Sequence, residues 1–213
     1  TVRGESGFKL RNREDIDRQI EASLELYGGD LENYNSVVLG ECDALVSPEI
    51  DYAATRAFER FRCGVSYHTG SNLFLFATNR SLLEQPGSVF GMLERLPYDN
   101  VHINVGWEAV TGEGLARLGK QQTAADVRRG IEKAGAINRA RGKVKISGNF
   151  ILADGCESGG ILDVLRTTGY AGQLYLSPLQ GQCSSEQAYS GLAAIRNAAG
   201  HNVRVHLYTM QRL

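Results

Sequence analysis

Two hydrophobic patterns alternate along the chain. Short runs rich in β-branched and aromatic residues occur at Ser36 to Gly40, Leu73 to Ala77, Val101 to Gly106, Val144 to Leu152, Leu174 to Ser177 and Val203 to Tyr208. Between them lie longer stretches in which apolar residues recur every three or four positions. This alternation predicts βα units built on a parallel sheet. The first helical stretch shows the rule. Asn12 stands where a cap belongs, Asp15 follows three residues on, Ile16, Ile20, Leu24 and Tyr27 fall on one face, and Gly28-Gly29 stop the pattern.

Ser47-Pro48 predicts the cap and first-turn proline of a second helix, with Ile50, Ala54, Ala57 and Phe61 as its buried stripe. Further helices are predicted near Ser88 to Leu96, from Thr123 to Arg141 with Gly142 as terminator, around Gly160 to Thr167, and from Ser185 to Ala199. The result is about six βα units, with no self-similarity beyond that period and no second domain. A doubly wound open sheet and a barrel are both compatible with this pattern.

Composition narrows the function classes. With 42% apolar residues, 213 positions suffice for one large core, and no stretch is long and apolar enough to cross a bilayer. Lys and Arg (23) nearly balance Asp and Glu (24) without a basic run, so the electrostatic footprint of a dedicated nucleic-acid binder is missing. Cys42, Cys63, Cys156 and Cys183 form neither a CxxC pair nor a zinc-ligand spacing, and no secretory signal is evident. Reduced thiols and a cytoplasmic location are the expectation.

In parallel α/β folds the loops after the strand C-termini build the site. Here they are polar: Gly40-Glu41-Cys42-Asp43, Trp107-Glu108, Ser147-Gly148-Asn149, and Ser177-Pro178-Leu179-Gln180. The run Val101 to Gly106 alternates, with His102, Asn104 and Gly106 on one side and Val101, Ile103 and Val105 on the other. A polar stripe inside a barrel implies a cavity. A solvent-facing stripe or a satisfied core histidine would give the same pattern. Trp107 stands in the opposite phase to Glu108, which suits a core role as well as stacking on a ligand. His68, His201 and His206 sit near element edges and are expected to be ordinary loop or surface groups.

The run VHINVGWEAVTGEGLARLGKQQTAADVRRGIEKAG resembles the fourth-strand region of radical S-adenosylmethionine (radical SAM) enzymes, where a Gly-x-Glu at a strand end precedes a Leu, a Lys and a Thr-capped helix. Here these are Gly106, Glu108, Leu115, Lys120 and Thr123. YNSVVLGECDALVSP is similar to that family's second strand and its acidic glycine turn, with Leu39 where the first glycine usually stands. FKLRNREDIDRQIEASLELYG resembles the helix before it, and ISGNFILADG the fifth-strand segment. The likeness runs from about Phe8 to Gly181.

The resemblance implies a partial parallel (β/α) barrel of TIM-like type that binds S-adenosylmethionine for reductive cleavage to a 5′-deoxyadenosyl radical. It implies Gly40 and Glu41 near the methionine amino group, Glu108 after Gly106 at the ribose hydroxyls, and Gly148 with Asn149 beside the adenine or methionine part. Carboxylates suit an ammonium and a diol, and glycine admits close backbone approach. The family's Cys-x3-Cys-x2-Cys loop, which holds a [4Fe-4S] cluster, is absent from these 213 residues. The expectation is therefore that the chain is a fragment, and that the parent protein carries the loop just upstream of Thr1 and receives electrons from a donor. No catalytic acid, base or nucleophile and no metal ligand is assigned, and the substrate is not specified. The alternative is a non-catalytic barrel with a SAM-like pocket or a partner-binding surface.

Overall fold

The computed structural model describes residues 9–40, 42–63, 70–153, 158–181 and 183–208. Six strands, β1 (Ser36–Leu39), β2 (Asn72–Thr78), β3 (Asn100–Glu108), β4 (Val144–Leu152), β5 (Gly172–Pro178) and β6 (Val203–Leu207), form one sheet. All neighbours are parallel and the spatial order is the chain order, β1 to β6. A doubly wound sheet needs a point where that order reverses, and none occurs. Because parallel crossovers are right-handed, unbroken sequential order winds every connection over the same face. The sheet is open, since β1 and β6 do not pair with each other.

Burial follows from this winding. On β3, Val101, Ile103, Val105 and Trp107 are wholly buried, whereas His102, Asn104, Gly106 and Glu108 are only half-buried. The same phase holds on β2, where Leu73, Leu75 and Ala77 are buried while Phe74 and Phe76 remain 38% and 41% exposed. One face is thus core and the other is more exposed. Trp107 sits at the centre of the core, in ring contact with Phe150 and Tyr170. A Cβ at Gly148 would fall inside its indole ring. The glycine at 148 is therefore required by core packing against Trp107. Trp107 belongs to the core and cannot stack on a ligand.

The helices are α1 (Arg13–Tyr27), α2 (Ile50–Arg60), α3 (Asn79–Glu84), α4 (Gly87–Arg95), α5 (Gly112–Arg117), α6 (Ala124–Ala140), α7 (Ser158–Thr168) and α8 (Ser185–Ala199). Asn12 caps α1 as predicted, accepting from the Asp15 N–H at 2.8 Å. Thr123 and Asp126 close a reciprocal capping box on α6, which helps hold the Asp126 carboxyl down at about 2, with Arg129 assisting. Ser184 and Gln187 do the same on α8.

Two local expectations change. Helix α2 begins at Ile50, and Ser47 caps only the preceding turn, its Oγ accepting from the Glu49 N–H at 3.3 Å. Helix α6 ends at Ala140 with an extended Arg141, so Gly142 is not a left-handed terminator; its N–H instead meets the Glu94 carboxylate at 3.0 Å. The short helices α3 and α5 were not predicted. Each has a threonine cap, Thr78 and Thr111, but six residues are too few to carry a legible period.

Candidate functional site

The strand C-termini and the adjoining open face carry the polar groups expected of a site. Gly40 adopts φ +77 at the turn after β1, where a Cβ would lie 3.1 Å from that of Ala44. Left-handed backbone and close packing both require glycine there. Glu41 lies outside the described residues, as do His68 and Cys156. Asp43, just beyond, accepts from Thr78 Oγ1 at 2.6 Å and Ser81 Oγ at 2.7 Å, which fastens the β1 turn to the start of α3.

Glu108 ends β3 in an unusual conformation. Its φ is +68, and the Ala109 N–H donates to the Trp107 carbonyl at 2.8 Å, so residues 107 to 109 make the positive-φ form of the γ-turn. That turn is rare and strained for a residue with a side chain. The register with β4 also slips here: Gly106 pairs with Asn149 but Glu108 with Phe150, a bulge of one extra residue. Bulge and turn together fold the carboxylate back over the open face. A Cβ on Gly106 would come within 2.7 Å of Glu108 Oε1, so glycine at 106 makes the room.

The carboxylate is not alone. Lys120 Nζ lies 3.1 Å from Glu108 Oε1, and the two side chains are 35% and 17% exposed. Gln122 Nε2 donates to the Trp107 carbonyl at 3.0 Å. The segment between α5 and α6 is thus tied to the strained turn at two points.

Lateral register places Thr78, Gly106, Asn149, Tyr175 and His206 in one row across β2 to β6. Asn149 therefore shares the open face with Gly106 and the Glu108 carboxylate. One row nearer the strand N-termini, Asn104 Nδ2 donates to Ser147 Oγ at 3.0 Å. His102 stacks on Phe74 with ring centres 4.8 Å apart, and burial lowers its pKa. His206, expected to be an ordinary surface group, instead stacks on Tyr175 at 5.4 Å. Its place in an alternating run could have signalled this, as could the phase of Tyr175.

Of the six residues expected to hold the cofactor, the structure brings Gly106, Glu108 and Asn149 together. Gly40 lies at the same end of the sheet after β1, Gly148 turns to the core, and Glu41 is outside the description. Ser177 is buried at the end of β5, and Gln180 is exposed. Lys120 and Gln122 are neighbours of the Glu108 turn that no strand pattern pointed to. Cys42 is exposed, Cys63 and Cys183 are buried, and among the described residues no three His, Cys, Asp or Glu side chains are grouped to hold a metal. The carboxylate and amides of the open face are acceptors of the kind a ribosyl ligand needs. No protein-family model matches the sequence, and no curated protein matches it.

Proposed function

We propose that this chain is the core of a radical SAM-type protein, with the sheet as the wall of a partial (β/α) barrel and its open face as the S-adenosylmethionine site. The observation that carries this is the Glu108 carboxylate, aimed over Gly106 by a bulge and a strained turn at a strand C-terminus. Proteins hold such strain where geometry serves a ligand. Sequential parallel order with helices on one face is also how a barrel wall is built.

In this assignment Glu108 accepts from the ribose hydroxyls, Asn149 lies one strand away in the same row as Gly106, and the Gly40 turn borders the site beside β1. Glu41 near the methionine amino group and Gly148 beside the adenine or methionine part rest on the sequence resemblance, the latter through its backbone alone. When bound, S-adenosylmethionine supplies the carbon centre for hydrogen abstraction. The residues described here bind and orient it. Reductive cleavage, the iron-sulfur cluster and the electron donor rest on the sequence resemblance alone.

Calorimetric titration of S-adenosylmethionine, paired with melting curves, tests this. Glu108→Gln is expected to weaken binding about 5- to 150-fold, the equivalent of losing a charge-assisted hydrogen bond of roughly 1–3 kcal/mol. The melting temperature should fall by no more than a few degrees, the share of the Lys120 ion pair. Unchanged affinity with a lowered melting temperature, or no binding by the unaltered protein, overturns the assignment.

A further inference from the structure

We infer that Lys120 fixes the aim of Glu108, and that the resulting neutral pair makes this carboxylate an acceptor for a hydroxyl and a poor partner for a cation; the second half rests on the proposed S-adenosylmethionine site. Lys120 is itself held, its backbone N–H donating to the Leu115 carbonyl at 2.9 Å just beyond α5. From that anchor its ammonium reaches Glu108 Oε1 at 3.1 Å, the same oxygen that occupies the space over Gly106. Gln122 holds the other side of the turn through the Trp107 carbonyl. The carbonyl that closes the γ-turn thus takes a second donor from the segment that supplies Lys120. Lys120 and Gln122 are positioning residues, since they act through Glu108 and its turn.

The charge argument follows from the distance. An ammonium 3.1 Å from a carboxylate cancels most of the field that the carboxylate would exert on a second charge several ångströms away. A hydrogen bond is short-ranged and survives this cancellation, so Oε2 still accepts well from a hydroxyl. A site with an unpaired carboxylate at this position would favour a cationic ligand. This one discriminates by hydroxyl placement.

The experiment uses Lys120→Met, Lys120→Arg, Glu108→Gln and the double variant Lys120→Met/Glu108→Gln. Without ligand, melting temperatures of Lys120→Met, Glu108→Gln and the double variant form a cycle with the unaltered protein. The double variant is expected to lose clearly less than the sum of the two losses, because either change alone already breaks the pair. Additive losses overturn the clamp.

With ligand, the ratio of affinities for S-adenosylmethionine, a sulfonium cation, and S-adenosylhomocysteine, a neutral thioether, reports the local charge. Lys120→Met is expected to shift this ratio toward the cation by about 3- to 30-fold, Lys120→Arg to keep it, and the double variant to restore it. An unchanged ratio in Lys120→Met overturns the charge inference even if the protein is less stable. If the unaltered protein binds neither ligand, the proposed site fails and with it the selectivity, while the melting cycle still decides the clamp.

Discussion

The two ends of the strands are built by different rules. At the N-terminal ends of β4 and β5, polar side chains are bonded to backbone. Glu94 accepts from the N–H groups of Gly142, Lys143 and Val144, and although burial pushes its carboxyl pKa up, those three donors bring it below the ordinary range. Asn138 donates to the carbonyls of Ile146 and Ala171 and accepts from the Ile146 N–H. Lys143 donates to the carbonyls of Leu96 and Tyr98. At the C-terminal ends, Asp43 and Glu108 meet other side chains, and the backbone carries the strain. An end fastened by backbone gains stability but has no spare acceptors. An end held by side-chain pairs keeps acceptors that a ligand can use, which is the division expected between the stabilising and functional ends of a singly wound α/β sheet.

The sharpest way to break this contrast is Asn138→Leu. It strips three backbone partners between β4 and β5, and the loss is expected to be about 2–3 kcal/mol by urea denaturation. A change under about 0.5 kcal/mol would mean that the N-terminal end is not the stabilising one. Glu94→Ala comes next, at about 1–2 kcal/mol, reduced because water reaches the freed N–H groups. Glu108→Gly should behave oppositely: relief of the positive φ offsets the lost ion pair, so stability stays within about 1 kcal/mol of the unaltered protein while S-adenosylmethionine affinity falls. A stability loss as large as that of Asn138→Leu would erase the difference between the ends.

The smallest effect concerns pH. Burial lowers the His102 pKa, so between that value and the ordinary one near about 6.5 the unfolded chain binds more protons than the folded one. Stability should decline as pH falls through that window. His102→Phe, which keeps a ring against Phe74, should flatten the profile; an identical slope in both proteins would assign the decline to other groups.

Much of the fold was legible because β3 and β4 are long in one phase and α1, α6 and α8 carry side-chain caps. The alternation of Val101, Ile103 and Val105 against His102, Asn104 and Gly106 appears in the structure as core against open face. Periodicity could not give the strand order, which depends on crossover geometry and not on composition. The candidate site was legible only in part. Gly106, Glu108 and Asn149 share an end because they end or nearly end adjacent strands, which a pattern can show. The packing role of Gly148 was not legible because a glycine that makes room for a core indole looks the same, in one dimension, as one that admits a ligand. Lys120 and Gln122 gave no periodic signal, since they reach the strand from a loop, and the bulge that makes their contacts possible leaves no mark in the sequence.

Sequential strand order also affects how the chain can assemble. Each strand pairs only with its predecessor and successor, so no hydrogen-bonded ladder has to wait for a distant segment. Contacts of modest sequence separation lower the loop-closure cost of each step. The sheet can therefore grow one unit at a time from the N-terminal side as the chain emerges during synthesis, each new helix covering the strand pair just formed. The growing edge is always the newest strand.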